Sequence, residues 1–95
     1  MPTRTVVVGS ASGLHARPAA LFVAAATAAQ PVRVTIRTGG KRPVPANSML
    51  SVLALGAKQG TEVVIEADGE GADAALDLLA DLLARDLDAE EPADA

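Results

Sequence analysis

The chain has 95 residues, a length that suits one domain. Almost half of its residues are apolar, yet Phe22 is the single aromatic and there is no cysteine. Disulfides, thiolate metal sites and cysteine nucleophiles are thereby excluded. The net charge of -4 hides a split: residues 1–61 carry seven bases and no acid, and residues 62–95 carry all twelve acids and one base, Arg85.

No apolar run approaches the length of a membrane span. Met1-Pro2-Thr3-Arg4 leads into a short valine run, not into a signal-peptide core. A cytoplasmic protein without membrane insertion is the expectation. The acid-free first segment would meet an anion without local repulsion. Nucleic acid is a weaker match, because only Lys41 and Arg42 are adjacent bases and no aromatic platform accompanies them.

Residues 3–8 are β-branched and apolar and predict a strand. Residues 9–13 (GSASG) predict a loop. Residues 16–29 are rich in Ala and contain no glycine, which predicts a helix stopped by Gln30-Pro31. Residues 32–37 alternate strictly: Val32, Val34 and Ile36 face one way, and Arg33, Thr35 and Arg37 the other. Gly39-Gly40 predicts a tight hairpin with positive φ at both glycines. A short return strand over 41–44 follows, and Pro43 and Pro45 confine it to a sheet edge.

Asn47-Ser48 offers capping side chains for a short helix over 49–55, closed by Gly56. Residues 61–67 predict the last strand, and residues 72–87 the last helix. Leu76, Leu79, Leu83 and Leu87 form its apolar face. Asp73, Asp77 and Asp81 form an acidic stripe on it, with Asp81 one turn from Arg85. Alternating wet and dry strand faces point to an α+β fold of β-α-β-β-α-β-α order, an antiparallel or mixed sheet with helices on one side.

The one histidine lies in the stretch GLHARPAA, residues 13–20. Pro18 is tolerated only in the first helical turn, so the helix begins within three residues before it. That puts His15 at or next to the N-cap and Arg17 in the first turn. Free amides and the positive end of the helix dipole converge there, and such a place binds phosphate. A neutral imidazole nitrogen is a nucleophile toward phosphorus, and a guanidinium matches phosphate oxygens. With no acid nearby in sequence to activate water, such a site holds phosphate rather than hydrolysing it. The competing interpretation is that His15 merely caps the helix or packs at its end. A metal site is disfavoured by one histidine and no cysteine.

GLHARPAA resembles the phosphorylation motif of HPr, the histidine-containing phosphocarrier family of bacterial sugar phosphotransferase systems. The resemblance continues through TGGKRPVPANSMLSVLALGAKQGTEVVIEADGEGADAALDLLADLL and spans about residues 3–87. It implies an open-faced β-sandwich, a four-stranded antiparallel sheet with three helices on one face. It implies one HPr-like domain over residues 1–88, monomeric, with no cofactor and no metal. The acidic stretch 89–95, which contains Pro92, is expected from its composition to be a disordered tail. The resemblance further implies that His15 accepts a phosphoryl group on Nδ1 from phosphorylated enzyme I, which draws on phosphoenolpyruvate. His15 then passes the group to sugar-specific IIA proteins. Arg17, Ser12 and the amides of Ala16 and Arg17 would hold the phosphate.

Ser48 matches the family's regulatory serine, the target of a serine kinase and phosphorylase in some bacteria; a plain N-cap would equally account for a serine there. Ala20, Met49, Leu50 and Leu53 match partner-docking positions, with ordinary core as the other interpretation. Two further functions stay open: a regulatory binding module acting through Ser48 or the His15 surface, and a carrier in a nitrogen-regulatory or dihydroxyacetone kinase phosphorelay. The chain departs from the family pattern in three ways. Its first and short helices are nearly neutral where many relatives carry lysines, residues 42–46 are one longer, and the acidic tail is an addition.

Overall fold

Two-residue alternation builds the sheet, and the computed structural model, which describes residues 2–86, shows how its strands pair. The elements are β1 (Thr3–Val7), α1 (Ala16–Ala28), β2 (Arg33–Thr38), β3 (Val44–Pro45), α2 (Met49–Ala54), β4 (Glu62–Asp68) and α3 (Ala72–Ala84). The strands form one four-stranded sheet in the order β1-β4-β2-β3, with every neighbouring pair antiparallel. Ile65 of β4 lies opposite Arg4 of β1 and Ile36 of β2, so the two central strands place their apolar residues in register.

Val6, Val34, Ile36, Val63, Ile65 and Ala67 are buried on the helix-covered face. Thr3, Thr5, Arg33 and Glu62 are exposed on the other, and Thr35, Arg37, Val64 and Glu66 are half-buried there. This is the open-faced α+β sandwich that the sequence pattern and the resemblance predict. Phe22 of α1 fills the core beside Leu76, Leu79 and Leu83 of α3. As the one large plug it contributes roughly 1.5–3 kcal/mol.

Three expectations change in detail. The return strand is only Val44–Pro45, shifted from 41–44, because Pro43 and Pro45 lack the N–H groups that a longer ladder needs. In the turn, closed by Lys41 N–H to the Thr38 carbonyl at 2.9 Å, only Gly39 has a positive φ, +47°. The last helix ends at Ala84: Arg85 turns to extended backbone (φ -78°, ψ 147°) and leads the chain away from the helix axis. Leu87 and the acidic stretch 89–95 lie outside the described residues.

One ion-pair group was invisible to the local pattern. Arg4, on the helix side of edge strand β1, reaches Asp73 at 3.2 Å and Asp77 at 3.1 Å. Its hydrogen bond to Asp73 holds the Arg4 guanidinium above its ordinary pKa. The single charge of Arg4 therefore partly offsets these two carboxylates of the α3 stripe from the sheet. At its far end Asp81 pairs with Arg85 at 3.2 Å.

Candidate functional site at the start of α1

Pro18 sets the helix start as its chemistry requires. His15 is the N-cap of α1, extended at φ -147° and ψ 164°, and its side chain makes no capping hydrogen bond. The ring is exposed, as are Ser12, Ala16 and Arg17. The first intrahelical bond runs from Ala19 N–H to the His15 carbonyl, at 3.4 Å. The amides of Ala16 and Arg17 precede it, at the positive end of the helix. Ala16 takes φ +50°, a left-handed conformation that costs a residue with a Cβ about 1–2 kcal/mol.

That cost is sustained because the loop ahead of His15 is clamped from two sides. On one side, Gly9 N–H donates to the Leu83 carbonyl at 2.9 Å, and the Ser10 hydroxyl, 2 % exposed, donates to the Arg85 carbonyl at 3.1 Å. Ala11 N–H donates to Asp86 Oδ1 at 3.1 Å. On the other side, Leu14 N–H donates to the Ala57 carbonyl at 2.8 Å, and Gln59 Nε2 donates to the Gly9 carbonyl at 3.0 Å. Between the clamps, Gly13 N–H closes a turn onto the Ser10 carbonyl at 2.8 Å.

The two loop glycines are close-approach residues. A Cβ on Gly9 would lie 2.0 Å from the Ala84 carbonyl oxygen, and one on Gly13 would lie 2.4 Å from the Ala57 carbonyl oxygen. Leu14, unremarkable in the motif, is 3 % exposed and pins the loop to the core beneath the exposed histidine.

The predicted residues therefore fall into two groups. Ser12, His15, Ala16 and Arg17 meet at one loop-helix junction. Ala20 is exposed on α1, and Met49 (37 %) and Leu50 (82 %) are exposed on α2, which packs against α1. Leu53 is half-buried and packs against the core. Ser48 is the N-cap of α2, its hydroxyl accepting from Ser51 N–H at 3.4 Å. Two surface grooves, one between the end of α1, β2 and β3 and one between α1 and α3, contain none of the junction residues. The imidazole thus stands on open surface, where a protein can reach it.

The sequence places no carboxylate near His15, but the fold brings one to its loop, Asp86. Asp86, Gly9 and Ser10 were all missed as site residues. The two glycines bracketing a run of small residues, Gly9 to Gly13, are the signal that could have found the close packing.

A family model, the PTS HPr component phosphorylation site, matches residues 2–85. The chain belongs to the HPr family of phosphocarrier proteins. It is 56 % identical over 88 residues to the phosphocarrier protein HPr of Streptomyces coelicolor, covering 93 % of this chain and 94 % of that protein. The HPr of Haloferax volcanii is 44 % identical over 80 residues, 84 % of this chain and 90 % of that protein. A multiphosphoryl transfer protein of Vibrio cholerae matches at 38 % identity over 81 % of this chain but only 20 % of its own length. The crystal structure of HPr from Bacillus anthracis superposes with a TM-score of 0.81 at 34 % identity, covering 86 % of this chain and 95 % of that one. For a family of the phosphotransferase system, an exposed imidazole at a helix start is a fitting centre.

Proposed function

We propose that this chain is a monomeric cytoplasmic phosphocarrier in which His15 takes a phosphoryl group from phosphorylated enzyme I and passes it to sugar-specific IIA proteins. The observation that carries this reading is the uncapped, exposed imidazole at the N-cap of α1, beside the Ala16 and Arg17 amides. In the transfer, the lone pair of His15 Nδ1 forms a bond to phosphorus as the donor's bond to phosphorus breaks. The donor atom leaves with the electron pair of its own broken bond to phosphorus, and no water enters. Arg17 and the two amides face the charge on the phosphoryl oxygens, which is most of what this chemistry asks of a protein. Ser12 adds a hydroxyl donor from the preceding turn. The group moves on by the same step reversed onto the next acceptor.

Ala20, Met49 and Leu50 form the apolar surround on which the donor and acceptor proteins dock, with Leu53 supporting it from the core side. A small, open, apolar patch lets one surface serve several partners. The family relationship supports enzyme I and IIA proteins as those partners, and the multiphosphoryl transfer relative fits the same chain of transfers.

The test is incubation with phosphoenolpyruvate, magnesium and a catalytic amount of purified enzyme I. The expected product carries one phosphate that is lost in acid and kept in base. That profile marks a phosphate on nitrogen, and because the chain has a single histidine, His15→Ala is expected to abolish the uptake. No uptake by the parent chain, or an acid-stable phosphate, would overturn the reading.

Ser48 supports a regulatory role on the same surface. It directly precedes Met49 and Leu50, so phosphorylation by a serine kinase would set about two negative charges at the edge of the docking patch. Ser48→Asp is expected to weaken binding to enzyme I by about three- to ten-fold in calorimetric titration, by charge and desolvation at the interface rim. Unchanged affinity would remove Ser48 from the docking surface.

A further inference from the structure

We propose that Asp86 is a positioning residue for phosphoryl transfer, acting through the turn formed by Ser10, Ala11, Ser12 and Gly13; the inference rests on the carrier role of His15. Three successive loop residues, Gly9, Ser10 and Ala11, are bonded to the end of α3. Two of the acceptors, on Leu83 and Arg85, are backbone carbonyls that nearly any sequence would supply. The third is a side chain, the Asp86 carboxylate, and its place depends on the chain leaving the helix at Arg85. An α3 continued as a regular helix would hold residue 86 on the helix path, away from the extended exit that Arg85 provides.

The Ala11 amide that Asp86 receives belongs to the first central residue of the turn, and Ser12 is the second. That amide lies in the Ser10–Ala11 peptide, so holding it fixes the entry to the turn that carries Ser12. From Ser12 the chain runs through Gly13, at φ +74°, to Leu14, whose amide is fixed on Ala57, and then to His15. Asp86 and Ala57 thus secure opposite ends of the segment that carries Ser12 and leads into His15. Ala11 is exposed, so water can replace the lost acceptor. Removing the carboxylate therefore costs little stability but frees the turn. Reaction rate is more sensitive than stability to a displacement of this kind.

Asp86 could in principle act by charge, repelling the phosphate, or by accepting a hydrogen bond. The geometry points to the second, and an amide in place of the acid separates the two. The experiment compares the full chain with Asp86→Asn and Asp86→Ala, reading the rate of transfer from phosphorylated enzyme I, hydrogen exchange of the Ala11 amide, and melting. Asp86→Ala is expected to slow transfer by about ten-fold with faster Ala11 exchange and little change in melting, and Asp86→Asn, which keeps an oxygen in place, to stay within about two-fold of the parent.

Parent-like transfer by Asp86→Ala overturns the proposal. So does faster transfer by both variants, which would make charge repulsion the agent, and so does Asp86→Asn as slow as Asp86→Ala, which would mean that an oxygen acceptor at this place does not suffice. Loss of cooperative unfolding in Asp86→Ala would make the residue a plain structural one and also overturn it. Failure of the parent chain to take up phosphate is a different result: it removes the carrier reading first and this inference with it.

Discussion

A His15→Ala variant is expected to accept no phosphate from phosphorylated enzyme I, yet to melt within about 3 °C of the parent chain. Both halves follow from the same geometry. The ring is exposed and makes no capping hydrogen bond, so its removal leaves neither a cavity nor an orphaned donor. Surface changes of that kind stay within about 0.5 kcal/mol. The helix start itself is held by Pro18, by the buried Leu14 and by the bond from Leu14 to Ala57, none of which the variant touches. Acid-labile phosphate on the variant would move the acceptor elsewhere in the chain. A large drop in melting temperature would instead make the imidazole a structural group, and the carrier argument would lose its premise. The assay is a labelling experiment beside a thermal melt.

Gly9→Ala is expected to be the reverse case, a change at no proposed chemical residue that damages both stability and transfer. The added methyl would lie 2.0 Å from the Ala84 carbonyl oxygen and 2.8 Å from its carbon, and backbone cannot rotate aside as a side chain can. Either the loop or the end of α3 must retreat. Retreat breaks the bonds from Gly9 to Leu83, Ser10 to Arg85 and Ala11 to Asp86. At about 1 kcal/mol net for each of the first two bonds, with water replacing Asp86 at the exposed Ala11 amide, the loss is about 2 kcal/mol, or a fall of roughly 10 °C in melting temperature. Transfer should slow as well, since Ser12 and His15 ride on the displaced loop. Gly40→Ala is the control, because a Cβ there meets nothing within 4 Å. Urea unfolding of the two variants decides the matter: equal stabilities would mean that the loop and α3 are not tightly joined.

The parts of this molecule written in short-range pattern were legible, and the parts written across the chain were not. Strict alternation in residues 32–37 identified one strand with a wet and a dry face. The β-branched run in residues 61–67 identified the last one, although Val64 breaks its alternation. Nothing local placed the two at the centre of the sheet. Pro18 located the N-cap from a single steric rule. By contrast, the bond from Ala11 to Asp86 spans 75 positions and has no periodicity to announce it. The pairing of Arg4 with α3 is hidden for the same reason. The short β3 shows a different limit: the prolines correctly demoted it to an edge, but the exact pairing of Thr35 with Pro45 is set by β2 and not by the local sequence. The end of α3 was overextended because Leu87 continues the apolar spacing, whereas the chain turns out of the helix at Arg85.

The two-sided clamp also orders events in time. GLHARPAA is among the first segments to leave the ribosome, but the residues that give its loop a shape, Ala57 on one side and Leu83, Arg85 and Asp86 on the other, emerge much later. A nascent chain stalled before its last helix would hold every letter of the motif with only half of the loop's anchors. If His15 is the acceptor proposed above, competence for phosphate is expected to arrive only with the final helix.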